Sequence, residues 1–202
     1  MKRLDQNIDR VHIIGGVGQL TDIVQAMDTS LQNIADSTDR LTDFLLRFSD
    51  SNKGQQFEKI VNMTVRLRDE LFEDAHELND LQGQIVSYQN KVSRYEGLSE
   101  SAPRPNPFLA RKRPINVDTT QFQFNREEML RLVAALTNYA EIVHQHLKRI
   151  NDKKNTAGQI WRDTQYKDFA AFVEDVTRRV QDVLKDYGGF VQDIEERIKG
   201  LN

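Results

Sequence analysis

Residues 158–169, Gly-Gln-Ile-Trp-Arg-Asp-Thr-Gln-Tyr-Lys-Asp-Phe, interrupt two long apolar repeats and contain Trp161, the only tryptophan of the chain. On both sides, apolar residues recur at spacings of three and four, as in the seam of a left-handed coiled coil. The repeating residues are Met129, Leu132, Leu136, Tyr139, Val143, Leu147 and Ile150, and then Phe169, Phe172, Val176, Val180, Leu184, Tyr187, Phe190, Ile194, Ile198 and Leu201. Two long helices joined by a short break run antiparallel, so residues 115–202 are predicted to form a helical hairpin with Trp161 at its tip.

The first half of the chain carries the same repeat in two further stretches. Their seam residues are Leu20, Val24, Met27, Leu31, Ile34, Thr38, Leu41, Leu45 and Phe48, and then Phe57, Ile60, Thr64, Leu67, Leu71, Ala75, Leu78, Leu81, Ile85, Tyr88, Val92 and Tyr95. Between the two stretches, residues 49–54 (Ser-Asp-Ser-Asn-Lys-Gly) are rich in turn formers. Residues 1–97 are therefore predicted to form an N-terminal helical hairpin.

The two breaks share a plan. In each, an aromatic residue closes one helix, an aspartate opens the turn and a phenylalanine begins the next seam. The corresponding residues are Trp161, Asp163 and Phe169 in the second half, and Phe48, Asp50 and Phe57 in the first. One hairpin cannot bury its apolar stripe alone, whereas two can. The predicted fold is all-α, with two long antiparallel helical hairpins forming an elongated four-helix, coiled-coil-like bundle.

A proline-rich, basic segment separates the predicted hairpins. Its prolines are Pro103, Pro105, Pro107 and Pro114, which are all the prolines of the chain. Since proline stops helices, residues 98–114 are predicted to form an extended linker, stiffened locally by the prolines. The favoured interpretation is a solvated, protease-sensitive segment, and contact with an acidic partner is the alternative. Residues 106–108 (Asn-Pro-Phe) also match a short peptide-docking motif, which three residues can match by chance.

The composition narrows the functional classes. Hydrophobic residues make up 38% and charged residues 29%, a balance that suits helices burying one stripe each. The net charge of −3 argues against nucleic-acid binding, and the apolar runs are far too short for a membrane span. Cysteine is absent, which excludes disulfides and thiol chemistry. The polar N-terminus predicts a cytoplasmic protein, whose export would need a route that reads no N-terminal signal.

Two pairs of residues have the spacing of a metal site. Glu73 and His76, like Glu141 and His144, are Glu-x-x-His pairs, as in di-iron carboxylate bundles. Projected around their helices, all four residues lie well away from the apolar seam. The first and fourth helices offer no seam carboxylates to complete such a site. We therefore expect no metal, no other cofactor and no catalytic site; a di-iron enzyme is the alternative that elemental analysis would identify.

Two glycine clusters have alternative interpretations. Gly15, Gly16 and Gly18 precede the first helix, where glycines can cradle a phosphate. The lysine of a P-loop is missing, so a flexible lead-in is favoured. Gly188 and Gly189 lie inside the fourth repeat and predict a bend or a close helix contact, with a hinge as the alternative.

The second half resembles the WXG superfamily, small helical hairpins associated with type VII secretion that carry Trp-x-Gly in the turn between two amphipathic helices. The matching residues are Trp161-Arg162-Asp163, with Tyr166 and Phe169 downstream and Ile115-Asn116-Val117-Asp118 as the lead-in. Aspartate replaces the glycine of the motif. The first half fits the hairpin plan without the tryptophan, and Phe48 stands nearest its place.

The resemblance implies that two hairpins pair antiparallel in a four-helix dimer, which a tandem chain would contain as a fusion. It also implies export through an ATPase-driven machine, or escort of a toxin partner to it. Many exported members carry a tyrosine followed four residues later by an acid near the C-terminus. Here Tyr187 is followed at that spacing by Val191, and the signature is absent. A partner, chaperone or structural role is therefore favoured over export of the chain itself.

These patterns predict a non-enzymatic helical adaptor or secretion-associated protein that binds a partner or effector through helix packing and the hairpin tip. The expected partner is a WXG-like protein, a toxin or a secretion component, or a second copy of the chain. The residues predicted to bind it are Trp161, Asp163, Tyr166, Phe169, Phe48 and Asp50. An equally weighted interpretation is that Trp161 only closes the hairpin core. The alternative function is a coiled-coil scaffold component of a phage-like or secretion assembly.

Overall fold

Four long helices make up most of the structure. The computed structural model describes residues 18–97, 102, 104–108 and 113–200, without the side chain of Gln19. The helices are α1 (Gly18–Ser51), α2 (Gln55–Tyr95), α3 (Arg126–Ile160) and α4 (Thr164–Gly200). Within these described ranges there is no β-strand, and an isolated antiparallel bridge joins Lys53 and Gln123. The predicted all-α fold of packed helical hairpins is confirmed.

The predicted seams form the buried core. Every seam residue of α1 and α3 is buried, and so is every seam residue of α2 except its last, Tyr95, which is 73% exposed. The seam of α4 is less strict, because Val173 is buried where Phe172 was predicted, and Leu184 and Phe190 are half-buried. A straight helix drifts relative to a 3.5-residue repeat, which explains a shift of one position along a long seam. Leu201 lies outside the described residues.

Contacts group the chain into two compact units, each with residues from all four helices. The described residues of unit 1 are 18–33, 74–97, 102, 104–108 and 145–179, and those of unit 2 are 34–73, 113–144 and 180–200. The units therefore divide the chain differently from the predicted segments 1–97, 98–114 and 115–202. Each hairpin contributes to both units.

In unit 1, α1 and α2 are antiparallel. The side-chain amide of Gln89 donates to the hydroxyl of Thr21 at 2.7 Å. Further along α1, the carbonyl of Val24 accepts from the side-chain amide of Gln82 at 2.9 Å. Position along one helix rises as position along the other falls, as the predicted N-terminal hairpin requires.

Also in unit 1, α2 and α4 are antiparallel, and ion pairs between their side chains connect them. The Nε of Arg179 donates to Asp74 at 2.8 Å, and Nη2 donates to Glu77 at 2.6 Å. Towards the end of α2, Tyr88 contacts Asp163 just before α4. Burial is the largest influence on the Asp74 carboxyl and raises its pKa, although Arg179 opposes the shift.

In unit 2, α1 and α3 are antiparallel. The hydroxyls of Thr38 and Tyr139 are 3.1 Å apart, and near the end of α1 the side-chain oxygen of Asn52 accepts from the amide of Asn125 at 2.9 Å. The side chain of Asn125 in turn accepts from the amide of Glu128 at 3.2 Å. Asn125 is therefore the N-cap of α3, a position that asparagine favours.

The interior of unit 2 contains a buried guanidinium. Arg68 is 2% exposed, and it donates to the hydroxyl of Thr42 at 3.0 Å and to Asp69 at 2.8 and 2.9 Å.

A pair of tyrosines also lies inside unit 2, with the ring centroids of Tyr139 and Tyr187 6.2 Å apart. The hydroxyl of Tyr187 is buried and has no hydrogen-bond partner among the described residues, and burial raises its pKa well above the usual value.

The turn between α1 and α2 is held by the segment that precedes α3. The amide of Gly54 donates to the carbonyl of Asp118 at 2.8 Å, and Lys53 forms two backbone hydrogen bonds with Gln123 at 2.9 and 3.1 Å. Gly54 has φ of 121°, a conformation that L side chains rarely adopt. The sequence Asn-Lys-Gly therefore suits this turn because the glycine supplies the unusual backbone geometry.

The proline-rich segment is docked on α1 and α2 at Ala102 and at residues 106–108. Phe108 is only 6% exposed, and side chains of α1 and α2 hydrogen bond to Ala102 and to residues 106–108. We refer to residues 104–108 as the strap. The side chains of Arg104, Asn106 and Pro107 are exposed, as a solvated segment requires. The backbone of residues 106–108 is instead hydrogen bonded by polar side chains on both helices.

Gly188 and Gly189 lie within the continuous helix α4. A Cβ atom added to either glycine would meet no other atom within 4 Å, so the predicted close helix contact is absent. A larger side chain would therefore fit at either position without a clash, and the helical backbone there does not require glycine.

Alanine at Gly188 or Gly189 is expected to raise the free energy of unfolding by about 0.5–1 kcal/mol each, through the higher helix propensity of alanine. Urea denaturation measures the change. Gly158→Ala is the contrasting variant and should destabilise, because its Cβ would clash with the ring and hydroxyl of Tyr166. A destabilising Gly188→Ala would show that the helix needs a bend there.

Candidate partner-binding site

Asp163 closes the turn between α3 and α4. Its Oδ1 accepts a hydrogen bond from the amide of Tyr166 at 3.1 Å, so it is the N-cap of α4 and satisfies an amide that the helix leaves unpaired. Its Oδ2 accepts from the hydroxyl of Tyr88 at 2.6 Å. One carboxylate, 7% exposed, therefore both starts α4 and ties the turn to α2.

Trp161 is the centre of an aromatic cluster. The indole is 0% exposed, and its ring centroid lies 5.4 Å from that of Tyr88, 5.7 Å from that of Phe169 and 6.0 Å from that of Tyr166. Tyr88 and Phe169 stack on it at interplanar angles of 22° and 24°. We refer to these four residues as the Trp161 cluster. The indole N–H makes no hydrogen bond of ordinary geometry among the described residues. It still acts as a donor towards the Tyr88 hydroxyl, whose pKa it lowers slightly against the larger effect of burial, so the main contribution of Trp161 is packing.

The hydroxyl of Tyr88 stays protonated at neutral pH. Burial raises its pKa well above the usual value, and the adjacent Asp163 carboxylate raises it further. A neutral phenol is the form that can donate to a carboxylate. The link between α2 and the turn is therefore maintained across the whole physiological range.

Gly158 allows the closest approach in the turn. The ring of Tyr166 lies over it, and the Tyr166 hydroxyl donates to the carbonyl of Lys154 at 3.2 Å. Any larger residue at position 158 would displace the tyrosine. Gly158, the first residue of the segment 158–169, thus has a packing role.

The outer surface of the turn is polar. Arg162, Thr164, Lys167 and Asp168 are exposed, and Tyr166 is half-buried. The buried cluster fixes the backbone that carries these side chains. The arrangement can present a defined set of charges to a protein surface.

The counterpart residues of the first half lie in unit 2. Phe48 is buried, with its ring centroid 6.3 Å from that of Phe57. Trp161 and Phe169 make the corresponding contact in unit 1. Asp50, however, lies inside α1 and is exposed. The predicted correspondence with Asp163 is not observed. Asn52 is the buried polar residue that makes the turn's hydrogen bonds, through its oxygen to Asn125 and its amide nitrogen to the carbonyl of Phe48.

Of the six predicted site residues, the structure brings together Trp161, Asp163, Tyr166 and Phe169 in unit 1. Phe48 and Asp50 belong to unit 2. Sequence reasoning missed Tyr88 and Asn52. For Tyr88 the signal was a hydroxyl at a seam position, since a buried hydroxyl must find a partner. Asn52 lies among the turn-forming residues 49–54, where asparagine commonly hydrogen bonds to nearby backbone.

The metal-like pairs point away from the core. Glu73, His76, Glu141 and His144 are all exposed, as their angular positions predicted. Among the described residues, no group of three or more histidine and acidic side chains is arranged to hold a metal ion. None of the described helices combines the length and apolarity needed to cross a bilayer.

His146 gives unit 1 a predicted sensitivity to acid. The residue is 9% exposed and its Nδ1 has no partner among the described residues. Burial, followed by the charge of Arg149, lowers its pKa. The unfolded chain therefore binds the proton more tightly, and stability should fall as pH drops from about 6.5 towards the lower folded pKa.

Thermal unfolding between about pH 7.5 and pH 5 tests this expectation. His146→Gln should lose part of the acid sensitivity. His144→Gln, which changes an exposed residue two positions away, should keep it. The same pH dependence in His146→Gln and in the unaltered protein would contradict the assignment.

A scan against protein-family models found no match for this chain. Searches of curated proteins and of solved structures found no similar protein either.

Proposed function

We propose that this chain is a non-enzymatic helical adaptor that binds a protein partner through its helix faces and the surface around the α3–α4 turn. The observation that carries the proposal is the Trp161 cluster, which fixes a short turn bearing the exposed residues Arg162, Lys167 and Asp168. Side chains held on a rigid scaffold lose less conformational entropy on binding than side chains on a mobile loop.

The resemblance to the WXG superfamily supports the same proposal. That family implies two hairpins paired antiparallel, and the contacts of α2 with α4 in unit 1 and of α1 with α3 in unit 2 have this sense. A WXG-like protein, a toxin or a secretion component is the partner that the resemblance implies. The adaptor would then escort that partner, with any export by a route that reads no N-terminal signal.

Within this proposal, the predicted binding residues have two roles. Trp161, Asp163, Phe169 and Phe48 are buried, so they would position the binding surfaces from beneath. Tyr166 is half-buried and can contact a partner directly. Asp50 and the charges around the α3–α4 turn are fully available to one.

Site-specific crosslinking tests the tip. A photoreactive residue at Arg162 or Lys167 is expected to give one defined adduct with a protein of the native host, identified by mass spectrometry as a helical secretion-associated protein or its cargo. The same probe at Lys148, an exposed position on α3 in the same unit, should give little of it. Equal adducts at all three positions, or none at the tip, would contradict the proposal.

The alternative, a self-associating scaffold, is favoured by one apolar surface in unit 2. Phe122 is 71% exposed, and it borders a groove of about 490 Å³ lined chiefly by Phe57, Ile60, Phe124 and Met129. Exposed apolar surface of this kind marks interaction sites. Sedimentation would separate the two functions: concentration-dependent assembly that Phe122→Ser abolishes favours the scaffold, and a monomer at all concentrations favours the adaptor.

A further inference from the structure

The strap is recognised by a carboxylate on α1. Asp28 accepts two hydrogen bonds from Asn106, one from its backbone amide at 2.9 Å and one from its side-chain amide at 2.6 Å. The two carboxylate oxygens each take one of these bonds. Hydrogen bonds to an ionised acceptor are about twice as strong as neutral ones. The second bond requires a side chain with a hydrogen-bond donor at position 106, and it therefore selects asparagine over an apolar residue.

A side-chain amide on α2, that of Asn79, hydrogen bonds to the strap backbone from the other side. The Nδ2 of Asn79 donates to the carbonyl of Asn106 at 3.0 Å, and its Oδ1 accepts from the amide of Phe108 at 3.3 Å. One side-chain amide thereby pairs with a carbonyl and an amide two residues apart. This pattern captures an extended peptide with little regard to its side chains, as strand addition does.

The side chains of Asp28 and Asn79, which contact the strap, are both held in place by Gln82. Gln82, which is 0% exposed, donates to the carbonyl of Val24 at 2.9 Å and lies 3.4 Å from Asp28 Oδ1. Its Oε1 accepts from Asn79 at 3.2 Å. The buried glutamine therefore links Asp28 with Asn79 across the two helices, and the pair is preorganised for its ligand.

The remaining contacts fix the register. Phe108 buries its ring, with 6% of the residue exposed. Gln32 donates to the carbonyl of Pro107 at 3.3 Å, and Asn90 accepts from the amide of Ala102 at 2.7 Å. The groove therefore has an apolar anchor position, a polar specificity position and a backbone ladder, which together define a peptide-binding site.

We propose that this face of α1 and α2 in unit 1 is a binding groove for an extended Asn-Pro-Phe segment of a partner protein, and that the strap is its occupant in cis. Most of the contacts go to the strap backbone, so the same tripeptide on another chain can make them. Arg104, Asn106 and Pro107 are exposed, and the strap can therefore leave without separating the helices. A tethered segment acts at an effective concentration on the order of millimolar, so the strap restricts entry to tight or abundant partners.

This groove is separate from the α3–α4 turn, and the proposal that it binds a peptide does not depend on the proposed adaptor function. It uses other residues of unit 1, and its test uses a defined peptide instead of an unknown partner. Failure of one proposal therefore leaves the other standing.

The test measures fluorescence anisotropy with a labelled peptide of residues 102–110. The protein is the full chain with Asn106→Ala and Phe108→Ala, which disable the strap. We expect this open variant to bind the peptide at least about tenfold more tightly than the unaltered protein, in which the strap competes at millimolar effective concentration. Asn106→Ala alone serves as a second open variant that keeps the buried Phe108 ring.

Specificity is tested on both sides of the interface. Asp28→Ala in the open variant should weaken binding roughly tenfold to a hundredfold, as expected for loss of a charged bidentate contact. Asp22→Ala, which removes an exposed carboxylate from α1 in the same unit, should not. A control peptide with Ala-Pro-Ala in place of Asn-Pro-Phe keeps the backbone contacts but loses the Asn106 side-chain bond and the buried ring, and it should bind at least about tenfold more weakly.

Three results would overturn the proposal. The first is no peptide binding to either open variant when circular dichroism shows native helix content. The second is binding that Asp28→Ala leaves unchanged, which would place the peptide elsewhere. The third is a dimer of the unaltered protein that Asp28→Ala dissociates, which would assign the groove to a second copy of the chain.

Discussion

Replacing Trp161 by alanine is expected to lower the free energy of unfolding by about 3–5 kcal/mol, the usual range for truncating a buried aromatic residue. The indole is fully buried between Tyr88 and Phe169, so its removal leaves a cavity where α2 meets the turn. Small domains are stable by about 5–15 kcal/mol, and the change is therefore a large share of the total. Urea denaturation followed by far-ultraviolet circular dichroism measures it.

Trp161→Phe is the matched control. Phenylalanine keeps most of the buried aromatic volume and loses only the weak contact of the indole N–H with the Tyr88 hydroxyl, so we expect a much smaller destabilisation than with alanine. A loss below about 1 kcal/mol for Trp161→Ala would contradict the packing role, since surface substitutions have effects of that size or less. Trp161→Phe should also retain the tip adduct, because the exposed charges keep their places.

Asp163→Ala is expected to destabilise by about 2–4 kcal/mol through two separate losses. Removing the N-cap of α4 costs about 1 kcal/mol. The hydroxyl of Tyr88, left buried without its acceptor, costs roughly 1–3 kcal/mol more. Thermal or urea unfolding of the variant measures the sum.

A double-mutant cycle separates these two losses. Tyr88→Phe alone removes the donor and leaves the N-cap bond of Asp163 intact. Adding Tyr88→Phe to Asp163→Ala should recover part of the lost stability, because no hydroxyl remains unpaired. The coupling energy is expected within about 0.5–3 kcal/mol. Strict additivity of the two changes would show that the 2.6 Å hydrogen bond contributes little.

The helices were predictable from sequence because seam periodicity and turn chemistry agree. Leu20 to Phe48 in α1 and Met129 to Ile150 in α3 are buried at every predicted position. Asn125 caps α3 as its residue type and position suggest. Periodicity records only which face is apolar, however, and cannot say which helix covers it.

The site required information that periodicity lacks. Tyr88 was predicted as a seam residue, yet its hydroxyl selects Asp163 at a sequence separation of 75. The docking of the strap was missed for a related reason. Proline content predicts an extended backbone, but whether water or Asp28 and Asn79 satisfy that backbone depends on side chains far away in sequence. The correspondence of Asp50 with Asp163 failed because α1 continues past Asp50 to Ser51.

The assembly of each unit from three separate stretches of chain has a consequence for biosynthesis. Asp74 and its partner Arg179 are 105 residues apart, and Thr38 and Tyr139 are 101 apart. At ribosomal rates of roughly 5–20 residues per second, the first hairpin waits about 5–20 seconds for those partners. During that interval its apolar seam has no covering helix from the second hairpin. Until α4 emerges, the nascent chain therefore exposes apolar surface of the kind that promotes aggregation.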